Sequence, residues 1–207
     1  MDGTFIVFEG IDGCGKGTQA KMLVHYLFDR NKYMHVLLTR EPGNSRFTRE
    51  VREMMQKGTD AKANALVFTD LFVLDRKHHI DNIILPVLEY EGIVVSDRYK
   101  HSTLAYQQTQ GMPLSSLMKM HGGMPVPDIT FLLDLPAEEA LKRVAKDKQR
   151  EYKEVFEQLA FQEELRQNYL VLKRQLPDEN ICVIDATRPA LEIFEQIKGL
   201  TELVLKK

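Results

Sequence analysis

With 207 residues and 43% hydrophobic content, the chain is long enough for one α/β domain with a substantial core. A net charge of −2 gives no global basic field for nucleic acid, and no apolar run approaches the roughly 20 residues of a membrane span. Cys14 and Cys182 lie outside any CxxC or Cys/His cluster, which argues against a zinc site and fits a reducing, cytoplasmic setting; no secretory signal opens the sequence.

The first apolar run, 4–8, reads as a buried strand. Gly10-Ile11-Asp12-Gly13-Cys14-Gly15-Lys16-Gly17-Thr18 follows it and leads into a helical pattern over 19–30. Strand, glycine loop and helix in that order are the context of a phosphate-binding loop. Glycines let backbone N–H groups approach phosphate oxygens, the helix start adds partial positive charge, and Lys16 adds a full one. Gly17 stands where the pattern has Ser or Thr, and Thr18 comes one position late. A metal would then be held by phosphates, waters and a carboxylate elsewhere. Cys14 reads as a small loop residue, with a thiol acidified by the helix start as the alternative.

Four more runs, 36–39, 93–96, 129–133 and 181–184, read as buried parallel strands separated by helical patterns. The alternation predicts a doubly wound sheet with helices on both faces. The strands end at Glu9, Arg40, Asp97, Asp134 and Asp185, and ligands of such sheets bind beyond the carboxyl ends. One sequence does not fix the strand order.

After the second strand, Thr39-Arg40-Glu41-Pro42-Gly43 is a charged turn, either a site or a salt-bridged corner, and Arg49 and Arg52 lie on the helix beyond. Residues 64–91 predict a long helix that Pro86 kinks or breaks. Phe72 and Arg76 share one of its faces, to meet a base and a phosphate or to serve as core and surface. Asp97 ends the third strand beside the phosphate loop, either placed to hold Mg²⁺ or part of a solvated strand-end turn, and Arg98 can reach an anionic substrate. Residues 111–127 read as loop, short helix, loop, and 136–146 as a helix. Residues 142–153 are strongly basic, and the run from Arg143 to Arg150 is either a solvated helix end or a lid that lays arginines on phosphate oxygens. A helix to about Arg174, a Pro177-Asp178 turn and a closing amphipathic helix over 188–206 complete the chain.

In order and spacing these pieces resemble the thymidylate kinase family. They are Phe-Glu-Gly-x-Asp-Gly-x-Gly-Lys at 8–16, Thr-Arg-Glu-Pro-Gly at 39–43, Phe72 to Arg76 and Asp97-Arg98-Tyr99. Ser102 with Ala105-Tyr106-Gln107, Pro127-Asp128, Leu133-Asp134 and Ile184-Asp185-Ala186-Thr187 extend the likeness over most of the chain. The resemblance implies transfer of the γ-phosphoryl group of ATP to dTMP, giving dTDP. It also implies a five-stranded parallel sheet of the P-loop NTPase type, Mg²⁺ and a homodimer, with no nucleic-acid or membrane partner. The whole chain, 1–207, would be one kinase domain with a basic lid at about 143–154.

By matching position, Gly10, Ile11, Asp12, Gly13, Cys14, Gly15, Lys16, Gly17 and Thr18 would cradle ATP, and Arg143 would lie against adenine. Arg40, Arg52 and Arg98 would hold the dTMP phosphate. Phe72 would stack on thymine, Arg76 would contact the base, and Asp12 would approach the 3′-hydroxyl. Ser102, Thr103, Tyr106 and Gln107 would complete the nucleoside pocket, with Tyr106 guarding against a 2′-hydroxyl. Asp97 would serve the metal. Lys16, Asp97, Arg98 and Arg150 would form the catalytic set. Positions 11–14 carry no arginine, so the lid would supply it, from Arg150 or its rivals Arg143, Lys146 and Lys148. Three other readings stay open from the residues. Gly-Lys-Gly-Thr-Gln at 15–19 also resembles the adenylate kinase loop, so another monophosphate kinase fits. A deoxynucleoside kinase and a nucleotide-binding switch without turnover are the others.

Overall fold

The computed structural model describes residues 3–57, 59–60, 62–146 and 159–206. Among them, five parallel strands form one sheet in the order β2-β3-β1-β4-β5. The strands are β1 (Thr4–Glu9), β2 (Val36–Arg40), β3 (Ile93–Asp97), β4 (Ile129–Asp134) and β5 (Ile181–Asp185). The doubly wound α/β expectation holds, and each strand runs one residue past its apolar run to include the polar residue at its end. The register pairs Phe8 with Asp97 and Arg40 with Asp97, so the carboxyl ends of β1, β2 and β3 finish side by side.

Alternation along the central strands builds two cores. Ile6 and Phe8 of β1 join Ile93, Val95, Ile129 and Phe131. They pack on helices α1 (Lys16–Arg30), α5 (Lys100–Thr109), α8 (Leu159–Gln175) and α9 (Ala190–Val204) through Leu23, Leu27, Leu104, Leu165, Leu172 and Ile197. Phe5, Val7 and Val94 point to the opposite face, where Val73, Ile80, Ile84 and Leu88 cover them. Strands buried on both faces are the reason the runs read as continuous rather than alternating hydrophobicity. A satellite cluster of Val51, Phe68 and Leu71 joins α2 (Arg46–Gln56) to α3 (Ala65–His79). The side-chain oxygen of Ser45 caps α2, accepting from the N–H groups of Phe47 and Thr48.

The single helix expected over 64–91 is three pieces: α3, a π-helical turn over Ile80–Ile84, and α4 (Leu85–Glu89). Pro86 has no N–H to donate and its ring crowds the carbonyl four residues back. The wider turn relieves both, and the N–H of Leu85 bonds to Ile80 O. Helices α6 (Leu114–Met120) and α7 (Ala137–Lys146) fill the loop–helix–loop and Pro-initiated segments. No helix among the described residues is long and apolar enough to cross a membrane.

Candidate active site

The phosphate loop leaves β1 on Gly10 and enters α1 on Gly15. Gly10 and Gly13 have φ of +135° and +85°, a region L side chains rarely adopt. A Cβ on Gly10 would stand 2.6 Å from Leu133 O, and one on Gly13 would strike Ala140 O. The loop is thus wedged between β4 and α7 by backbone alone. The Lys16 ammonium lies back over the loop, donating to Gly10 O and Ile11 O at 2.9 Å each. Cys14 sits beneath it, buried, and that burial pushes the thiol's pKa up despite the nearby charges of Lys16 and Arg98. The acidified-thiol alternative is therefore corrected, and Cys14 is a small packed residue of the loop.

Across from the loop, Arg98 opens the segment between β3 and α5. Its φ is +77°, and its N–H donates to Phe8 O at 2.9 Å. The guanidinium pairs with Asp12, donates to Ser102 Oγ at 3.1 Å and lies over the Tyr106 ring, 5.4 Å from its centroid. Burial alone would lower its pKa, but Tyr106, Asp12, Tyr169 and Glu9 hold it above the ordinary value, so the charge is permanent. Asp12 also lies 3.9 Å from Lys16 Nζ. Through this one carboxylate the structure joins Lys16 of the phosphate loop to Arg98 and Tyr106, and through Arg98 to Ser102.

Two residues that hold this group together carry no signal of such a role in the sequence. Glu9 is fully buried; its Oε1 accepts from the N–H groups of Tyr99 and Ser102, and its Oε2 from the hydroxyls of Ser102 and Tyr169. Tyr169, from α8, adds contacts to Ser102 Oγ at 2.9 Å and to Arg98 at 3.4 Å. Glu9 stands in the strand-ending motif, yet nothing there marks it as the anchor of α5. Tyr169 belongs to no motif and reads as one more ring on an amphipathic helix.

Asp97 offers one carboxylate to a cation, with no cluster of three or more His, Cys, Asp or Glu ligands formed among the described residues. Its Oδ1 is buried and has no hydrogen-bond partner among the described residues, and its Oδ2 would lie 3.3 Å from a Cβ on Gly17. An orphaned carboxylate oxygen beside the phosphate loop fits one ligand of a Mg²⁺ ion, and Gly17 stands where the motif would place a hydroxyl. Arg40 ends β2 next to Asp97 and is exposed. Arg52 is exposed too, folded onto the turn through Asn44 Oδ1 at 3.4 Å and Gly43 O at 3.3 Å. Thr18 is exposed on the first turn of α1.

On α3, Arg76 is buried. It donates to Glu41 Oε2 at 2.6 Å and to Thr103 Oγ1 at 3.0 Å. Phe72, one turn earlier on α3, is half-buried against the α2–α3 cluster. Gln107 is buried and bonded to Gln110 at 3.0 Å, apart from the Arg98 group. Arg143 reaches Ala186 O, 3.4 Å from each terminal nitrogen, on the loop after β5. Arg150 and Lys148, with most of the segment 143–154, lie outside the described residues.

A family model described as thymidylate kinase matches residues 8–197. A protein from Thermococcus kodakarensis named "Probable thymidylate kinase" is 38% identical, over 97% of this chain and 98% of its own length. Proteins of the same name from Sulfurisphaera tokodaii and Methanoculleus marisnigri are each 40% identical, over 93% and 94% of this chain and 92% of their own lengths. Together with the five-stranded parallel sheet, the phosphate loop and the Asp12–Arg98 pair, these matches establish that the chain belongs to the thymidylate kinase family.

Proposed function

We propose that the chain transfers the γ-phosphoryl group of ATP to dTMP, releasing ADP and dTDP. The observation that carries the reading is the Arg98–Asp12 pair, which ties the phosphate loop to the residues of an acceptor pocket. Two anions must approach each other, and the acceptor oxygen needs no general base. The second pKa of a phosphate monoester is about 6, so dTMP is already largely dianionic at neutral pH. Catalysis is then positioning and charge neutralisation. Lys16 and the loop N–H groups take the ATP phosphates, Arg98 with Arg40 and Arg52 takes the dTMP phosphate, and Asp12 takes the 3′-hydroxyl. Phe72, Arg76, Thr103, Ser102, Tyr106 and Gln107 surround the nucleoside, Arg143 lies against adenine, and Arg150 closes over the transferring group.

Asp97 would hold Mg²⁺, which supplies neutralisation of charge on the donor phosphates. We further propose one kinase domain over 1–207 with its lid at about 143–154, acting in the cytoplasm as a homodimer. Supporting the dimer, Leu66, Val67 and Leu74 are exposed apolar residues on one side of α3, with the exposed Asp70 among them. The test is ³¹P NMR of the protein with ATP, Mg²⁺ and dTMP. Growth of dTDP and ADP resonances that stops on chelation is expected; unchanged dTMP in the presence of Mg²⁺ contradicts the reading.

A further inference from the structure

Arg76 is held on three sides. Besides Glu41 and Thr103, its Nη2 donates to Tyr99 O at 3.1 Å, and its Nη1 contacts His121 Nε2 at 2.8 Å. A guanidinium has donors only, so His121 Nε2 must present a lone pair. The other ring nitrogen, Nδ1, lies 2.7 Å from Leu117 O, which can only accept, so Nδ1 carries the proton. Both assignments are forced by the partners. His121 is buried at the end of α6, in no motif that the proposed reaction uses. Burial first, then the charges of Arg76, Lys100 and His101, lowers its pKa to about 4, consistent with a neutral ring at neutral pH. At the far end of the same network, His79 occupies Glu41 Oε1 at 3.0 Å, leaving Oε2 to Arg76.

We infer that His121, as the neutral Nδ1–H tautomer, is a positioning residue that fixes the guanidinium of Arg76 for the base of the acceptor nucleotide. The inference rests on the dTMP reading above. Its reach is one donor: both hydrogens of Arg76 Nη1 are committed, one to Thr103 and one to His121, and these act with the Nε bond to Glu41 and the Nη2 bond to Tyr99 to stop the guanidinium from turning about its stem.

The experiment pairs kinetics with ¹⁵N NMR of the wild-type protein at neutral pH. NMR should show His121 with a pyrrole-type Nδ1 and a pyridine-type Nε2; a protonated Nε2 overturns the inference. His121→Leu leaves a buried donor unpaired and should raise KM for dTMP about tenfold, with KM for ATP changed by less than about twofold. His121→Gln, which returns an acceptor toward Nη1, should recover most of that loss. An unchanged dTMP KM in His121→Leu, or equal rises for both substrates, overturns it, as does a His121→Gln variant no better than Leu. If His121→Leu fails to fold, the wild-type NMR and the Gln variant still decide. Failure of the wild-type protein to phosphorylate dTMP would instead sink the reading of the reaction, and the tautomer would still be read independently.

Discussion

Arg98 holds a left-handed backbone that costs a non-glycine residue about 1–3 kcal/mol, and bonds from both sides keep it there. Its N–H is tied to Phe8 O, and Ser96 Oγ donates to its carbonyl at 2.8 Å. That geometry turns the guanidinium back toward Asp12 instead of out along α5. Losing one preorganised donor aimed at developing transition-state charge costs on the order of 10²–10³ in kcat. Lys16→Ala and Arg98→Ala are each expected to lower kcat by that order in a coupled ADP assay, with the circular dichroism spectrum of Lys16→Ala unchanged. Phe72→Ala should raise KM for dTMP more than for ATP; equal shifts would return Phe72 to the α2–α3 packing alone. At this scale the phosphate loop was legible, because its chemistry is local spacing. Glu9, Tyr169 and His121 were not, because their roles exist only through contacts between segments far apart in sequence, such as Glu9 to Tyr169 at a separation of 160 residues.

Among the elements, the phosphate loop shows why its glycines are structural before they are functional. Gly10→Ala places a methyl group against Leu133 O, a backbone atom that cannot swing away. Together with the positive φ this should cost about 2–4 kcal/mol, read as a lower urea midpoint, with ATP affinity falling alongside. The turn before β5 is fastened differently. Glu179 accepts from Lys100 at 2.8 Å and from His101 at 2.7 Å, linking it to the first turn of α5. Burial alone would raise its pKa, but His101 and Lys100 overcome that and hold it at about 2, below its ordinary 4.5. A depressed carboxylate contributes stability above its unfolded pKa and loses it as pH falls through the folded one. Thermal stability should therefore decline between pH of about 4.5 and 2, and Glu179→Gln should flatten that part of the profile. A mutant with an undiminished acid slope would remove Glu179 as its source. The strands end at the polar residues the sequence marks, one past each apolar run, because the hydrogen-bond ladder continues beyond the last apolar side chain. Pro86 announced the interruption of its helix, but the structure accommodates it in the turn upstream, over Ile80–Ile84, where the carbonyls it would strike lie.

For the whole molecule, alternating strands and helices announced a doubly wound sheet, while the order β2-β3-β1-β4-β5 emerges only from pairing. That order sets β1 between β3 and β4, so one loop of glycines meets Asp97 on one side and the Arg166–Asp134 ion pair on the other, at 2.6 Å. Tyr169, on α8, comes to the same end of the sheet, against Glu9, Ser102 and Arg98. The most direct measurement is coupled ADP release with ATP and Mg²⁺ over a panel of dTMP, dUMP, AMP, CMP, GMP and thymidine. Turnover concentrated on dTMP and abolished by chelation is expected. Preference for a purine monophosphate or for thymidine itself, or ATP binding with no turnover on any acceptor, would contradict it.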